Sequence, residues 1–197
     1  AHALALRNFV LSGAELKGAD KTRFAEIQEQ LAQLSQTFSE HVLDATDAWS
    51  CVADETEVSG IPDDVLQTAK ALAESQGKPG YVLTLKMPCY LPVMQYANHR
   101  GLREKLYRAY TTRASDQFEF PAFDNGPLIQ AILKLREEEA HLLGYANHAE
   151  VSLATKMAES PQRVMAFLRD LAARAKPYAL QDVAELLLQS VQPRNDG

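Results

Sequence analysis

The sequence has 197 residues, of which 46% are hydrophobic and 23% charged, with a formal net charge of -6. That length leaves room for a substantial core, while the acidic balance, with Lys and Arg scattered among Glu and Asp, argues against a nucleic-acid surface, which needs a concentrated positive face. Cys51 and Cys89 form no C-x-x-C pair, no apolar run approaches the roughly 18 residues of a membrane span, and no basic leader is evident, so a reducing, cytoplasmic setting without a disulfide framework is expected.

The chain opens without Met on an amphipathic stretch, AHALALRNFVL, which hints at an excised or processed piece. Ala3 to Leu11 reads as the last turns of a helix, stopped at Ser12-Gly13. Phe24, Ile27, Leu31, Leu34, Phe38, Val42, Ala45 and Trp49 then follow at spacings of three or four. They predict one long helix from an Asp20 N-cap to about Trp49, with an apolar stripe that needs partner helices. After the acidic loop ADETEVSG, Pro62 opens a helix with Val65, Leu66, Ala69 and Leu72 inward, ending at Gly77. Lys78-Pro79-Gly80 is a turn, and Tyr81 to Lys86 (YVLTLK) is the one convincing strand, whose partner must come from elsewhere.

Pro88 and Pro92 bracket a turn into a short helix, PVMQYA, and Arg100 to Arg113 forms the next, with Leu102, Leu106, Ala109 and Tyr110 on one side. SDQFEFPAFDN reads as a loop pinned to the core by its phenylalanines. Pro127 starts a helix lined by Leu128, Ile132, Leu135, Glu139 and Leu143, with Gly144-Tyr145 as its C-terminal cap. Asn147 and Glu150 resemble a capping box, and Ser160-Pro161 begins a long helix through Val164, Leu168, Leu171 and Ala175, which Pro177 should kink or divide. The final QPRNDG reads as frayed. The fold class expected is mainly α, a multi-helix domain with one short strand near residues 81–86.

Chemistry is sparse. A HExxH zinc site needs two His one turn apart with Glu between them as base, but His2, His41, His99, His141 and His148 are followed by Ala, Val, Arg, Leu and Ala. Glu138 and His141 make a single E-x-x-H, whereas a di-metal bundle needs two such units. Glu137, Glu138 and Glu139 beside Lys134 and Arg136 read more simply as a solvated face. His148-Ala149-Glu150 matches half of a zinc deaminase signature but lacks the downstream P-C-x-x-C. Cys89 sits in a Pro-flanked turn with His99 near in sequence, yet an inert buried thiol is the simpler reading. No phosphate-cradling glycine loop is present. Tyr81, Tyr90, Tyr96, Tyr107 and Tyr110 cluster with Arg100, Arg103, Arg108 and Arg113. They are either a groove for peptide or single-stranded nucleic acid, with peptide favoured by the acidic overall charge, or ordinary core and boundary residues.

The run GYVLTLKMPCYLPVMQYANHRGLREKLYRAYTTRASD, then LREEEAHLLGYANHAEVSLATKMAESP, with the earlier LSGAELKG and HVLDATDAW, resembles the thimet oligopeptidase and oligopeptidase A family of zinc peptidases from about Leu11 to Leu186. The resemblance implies a mostly helical peptidase that cleaves short peptides in a deep channel. Its one zinc is held by the two His of HExxH and a later Glu, all C-terminal to this stretch. Residues 1–197 are then expected to be a fragment of the helical domain of a larger oligopeptidase, without the catalytic HExxH domain. The stretch would serve as scaffold and channel wall, inactive alone. No catalytic, cofactor-binding or metal residue transfers to this chain; zinc belongs to the parent, and short peptides are the parent's partners. Three segments depart from the family pattern: Cys89 stands where the related run has Ser, QFEFPAFDN lacks the family's Gly- and Asn-rich character, and LLLQSVQPRNDG drifts away. The alternative is a stand-alone helical interaction module or a degenerate remnant of the same family. Faces meant for missing parts should leave apolar patches, through which the isolated piece is expected to self-associate.

Overall fold

The computed structural model describes residues 2–191, with side chains for 5–189. The described residues form eight α-helices, one 3-10 turn and a two-stranded sheet, so the expected mainly α class holds. The chain divides into two compact units, Ala25–Leu135 and a second built from residues up to Phe24 and from Arg136 onward.

The middle unit contains most of α2 (Gly18–Ala48), β1 (Ser50–Ala53), α3 (Asp63–Ser75), β2 (Tyr81–Thr84), α4 (Met87–Tyr96), α5 (Arg100–Thr112), the 3-10 turn Pro121–Phe123 and the start of α6 (Gly126–Leu142). Its core gathers Trp49, Leu83, Leu85, Val93, Leu102 and Leu106, with Phe118 buried and Phe120 and Phe123 packed against it, so the phenylalanine-rich loop is pinned as expected. Apolar burial of this kind drives the fold, at roughly 25 cal/mol per Å² removed from water.

The strand has its partner inside the chain. β1 pairs antiparallel with β2 in the register Ser50↔Thr84, Cys51↔Leu83, Val52↔Val82, Ala53↔Tyr81. β1 alternates exposed and buried residues, with Cys51 and Ala53 inward. β2 ends at Thr84 rather than Lys86, because the chain turns there to begin α4.

Several helix ends differ from expectation. α2 starts at Gly18, so Asp20 lies inside its first turn, where a carboxylate favours the positive end of the helix dipole. The prolines do not bracket a turn before α4: Pro88 sits in its first turn, where a missing N–H costs nothing, and Pro92 lies inside it, at the loss of one hydrogen bond. His99 caps α5, its ring Nδ1 accepting from the Leu102 N–H at 3.0 Å.

The second unit holds α1 (His2–Leu11), the C-terminal part of α6, α7 (His148–Leu153) and α8 (Pro161–Val191). The cap at Gly144 is confirmed: φ is 79°, the Gly144 N–H donates to the His141 carbonyl at 3.0 Å, and that of Tyr145 to the Ala140 carbonyl at 2.8 Å. The Ser160 hydroxyl accepts from the Arg163 N–H at 3.2 Å, starting α8 as expected. Pro177 does not divide α8, since losing one N–H leaves helix-favouring neighbours on both sides to carry the ladder onward. The inward stripe expected on α8 is covered only at its start. Val164 is half-buried, whereas Leu168 and Leu171 are exposed, as are Tyr178, Val183 and Leu187 further along. The expected fraying of QPRNDG falls outside the described residues.

Candidate functional site

Each candidate from the sequence has a definite place. Glu138 and His141 form no metal pair. Arg23 of α2 meets Glu138 side by side, Nε donating to Oε1 at 2.6 Å and Nη2 to Oε2 at 2.8 Å, and His141 is exposed. The Arg23 hydrogen bond and charge hold the Glu138 carboxyl below its ordinary range. Glu139 is largely covered, with Oε2 3.6 Å from His148 Nδ1. The triple-glutamate run is therefore only in part the solvated face expected: Glu137 is exposed, whereas Glu138 ties α6 to α2 and Glu139 is covered beside His148 of α7. Charge and spacing in the sequence could not reveal this, because Arg23 lies far away along the chain.

His148 and Glu150 belong to a helix start. Asn147 Oδ1 accepts from the Glu150 N–H at 3.1 Å, as the capping box requires. Glu150 Oε2 reaches back one residue further than the box predicts, to the Ala146 N–H at 3.1 Å.

Cys89 and His99 go to different partners: His99 Nδ1 is taken up by the α5 cap. The Cys89 sulfur accepts from the Thr84 N–H at 3.4 Å, and burial pushes its thiol pKa up. Burial raises Cys51 further, to about 11. Both behave as neutral thiols, consistent with the inert reading. Cys89 also lines a largely apolar cavity of about 350 Å³, together with Val65, Ala69 and Leu72 of α3, Val82 of β2 and Pro88.

The Tyr/Arg cluster splits. Tyr90 and Tyr110 stack with ring centroids 4.0 Å apart and planes 14° from parallel, and the Arg113 guanidinium lies 3.7 Å over the Tyr110 ring. Arg113 also donates to the Thr46 hydroxyl at 3.2 Å, fastening α5 to α2. Desolvation raises the Tyr90 pKa, and the neighbouring Tyr110 adds to it. Tyr81 packs against the core, Arg103 donates to the Ala97 carbonyl, and Arg108 pairs with Glu104 one turn away. Tyr96 and Tyr107 remain exposed. Most of the cluster is thus internal fastening.

One hub escaped the sequence reading. Asn125 is 2% exposed. Its Nδ2 donates to the Phe38 carbonyl at 3.1 Å, its Oδ1 lies 2.9 Å from His41 Nδ1, and its N–H donates to the Ala114 carbonyl at 3.1 Å. With Oδ1 as acceptor, the His41 nitrogen facing it carries the proton. Within DNGP, Asn125 reads as a loop residue, and only its place before a Gly-Pro helix start hinted otherwise.

Among the described residues no group of three or more His, Cys, Asp or Glu side chains could hold a metal ion. His41, His99 and Glu138 are engaged in structural bonds, and the side chain of His2 is outside the described set.

Comparison with known proteins supplies the context. The model of peptidase family M3 matches residues 93–194, just over half of the sequence. The chain belongs to peptidase family M3. Within that family it is 50% identical over 184 residues to oligopeptidase A of Salmonella typhimurium, covering 92% of this chain and 27% of that protein. Oligopeptidase A of Escherichia coli gives the same figures, 50% over 184 residues, 92% and 27%. A probable cytosolic oligopeptidase A of Arabidopsis thaliana is 41% identical over 189 residues, covering 92% and 26%. The chain therefore spans about a quarter of the length of the M3 relatives it matches.

Proposed function

We propose that this chain is part of the helical domain of a larger zinc-dependent M3 oligopeptidase, providing scaffold and channel wall for the hydrolysis of short peptides. The carrying observation is the coverage. The chain aligns over 92% of its own length with 27% of oligopeptidase A. The engagement of His99 and Glu150 in helix caps and of Glu138 in an ion pair supports a catalytic centre supplied elsewhere in the polypeptide. On this reading the chain alone does not cleave peptides, and zinc is bound by the parent through residues outside 1–197. A cytoplasmic setting fits a relative named as cytosolic, and no helix among the described residues is long and apolar enough to cross a membrane.

A second reading, a helical interaction module, draws on α8, whose Phe167, Leu171, Tyr178, Val183 and Leu187 are exposed. Exposed apolar side chains of that extent mark a contact surface. Under the first reading the rest of the polypeptide covers them; under the second, another protein does. Sequencing the source gene beyond Gly197 separates the two. An in-frame HExxH is expected, and a stop codon shortly after Gly197 would favour the module.

A further inference from the structure

Asn125 is followed by Gly126, whereas Asn8, Asn98, Asn147 and Asn195 precede Phe, His, His and Asp. Asparagine before glycine is the dipeptide most prone to deamidate, because glycine has no Cβ to hinder its own nitrogen. The Gly126 nitrogen attacks the Asn125 side-chain carbonyl carbon, the bond to the amide nitrogen breaks, and ammonia leaves a five-membered succinimide. Water then opens one of the two ring carbonyls. Attack at the main-chain carbonyl yields isoaspartate, with an extra methylene in the backbone; attack at the side-chain carbonyl yields aspartate. No oxidant or reductant takes part.

We infer that Asn125–Gly126 is a spontaneous modification site that the folded middle unit holds in check, and that its conversion dismantles the hub around it. Every group the reaction needs is occupied in the fold. The amide nitrogen donates to the Phe38 carbonyl and the amide oxygen faces His41 Nδ1 at 2.9 Å. The attacking nitrogen itself is engaged, the Gly126 N–H donating to Asp124 Oδ1 at 2.8 Å. Asn125 is also 2% exposed, so hydrolytic water is largely excluded. Reaction therefore requires local opening of the segment between α5 and α6.

The product cannot restore what it replaces. An aspartate puts an acceptor opposite the Phe38 carbonyl, replacing the side-chain hydrogen bond by a repulsion between two oxygens and placing a charge at a buried position. His41 can answer one carboxylate oxygen, but not both. An isoaspartate also displaces the backbone N–H that holds the Ala114 carbonyl and the backbone carbonyl that accepts from Ile129 at 2.9 Å. Ala114 has φ 54°, a left-handed conformation a non-glycine residue keeps only when its surroundings hold it. The reaction is thus one-way, and a chain that opens and deamidates closes less well.

Two measurements test this with the full 197-residue chain. Wild type is aged at mildly alkaline pH, folded or in urea, and peptides spanning residues 121–127 are followed by mass spectrometry for amide-to-acid conversion. Deamidation at Asn125 should be slower in the folded chain by on the order of tenfold or more; equal rates would overturn the inference. Separately, Asn125→Asp should lower the urea midpoint and speed amide exchange across residues 114–129, or fail to fold. A variant matching wild type in both would overturn the claim that conversion disables the hub.

Discussion

Cys51 and Cys89 differ from reactive cysteines in the direction their environment pushes them. Desolvation dominates at Cys51, raising it to about 11 despite an opposing pull from Lys105. A thiol raised on folding stabilises the native state fully below its unfolded value of about 8.5, and that contribution is lost as pH climbs through the folded value. Alkylation by iodoacetamide near neutral pH should be slow in the folded chain and rapid in urea. Glu138 works in the opposite sense. Its folded pKa is depressed by Arg23, so its contribution is present above the unfolded carboxylate value and fades as pH falls through the lower folded one. Arg23→Gln should therefore flatten the acid side of a stability-versus-pH curve; an unchanged acid limb would show the pair to be idle. The sequence offered Cys89 as inert because a lone thiol without a placed base is the commoner case. It could not offer the Arg23–Glu138 pair, because nothing local joins those positions.

At the scale of elements, what was legible is what short-range chemistry dictates. The three- and four-residue spacing of Phe24 through Ala45 predicted α2, and Gly144, Asn147 and Ser160 marked helix ends where their caps form. Strand β1 was not legible. Four residues, SCVA, follow directly on a helical stripe that ends at Trp49, and their pairing with residues 81–84 is set by packing across the sheet. Pro92 and Pro177 misled for the converse reason, since proline penalises a helix locally while its neighbours decide whether the helix continues. The turn into β2 gives a sharp test. Gly77 and Gly80 both have positive φ, at 64° and 75°. A Cβ at Gly77 meets nothing within 4 Å, whereas one at Gly80 falls 2.4 Å from the Ala53 carbonyl oxygen of β1. Gly77→Ala should cost about 1 kcal/mol from conformation alone. Gly80→Ala should cost clearly more by urea denaturation, because the edge of the sheet must move as well.

For the whole molecule, family membership was readable from long ordered segments, and the wider comparison places the chain in peptidase family M3. The candidate site resolved mostly into fastenings: a stacked Tyr90–Tyr110–Arg113 ladder, a His99 cap and a Glu138 ion pair. Those roles depend on distant partners, so residue types alone left them open between chemistry and structure. The exposed face of α8 leads to an expectation of its own. Self-association of the purified chain should grow with concentration, read as rising mass by light scattering, and Leu171→Glu with Leu187→Glu should suppress it. A strict monomer throughout would count against a sticky α8 face.

The role proposed for this chain is scaffold, with the catalytic centre supplied elsewhere in the polypeptide. The most direct measurement incubates the purified chain with equimolar zinc and a quenched-fluorescence oligopeptide, with and without chelator. No turnover above the buffer control and no tight stoichiometric zinc are expected. Cleavage that depends on one bound zinc per chain and stops on chelation would contradict it.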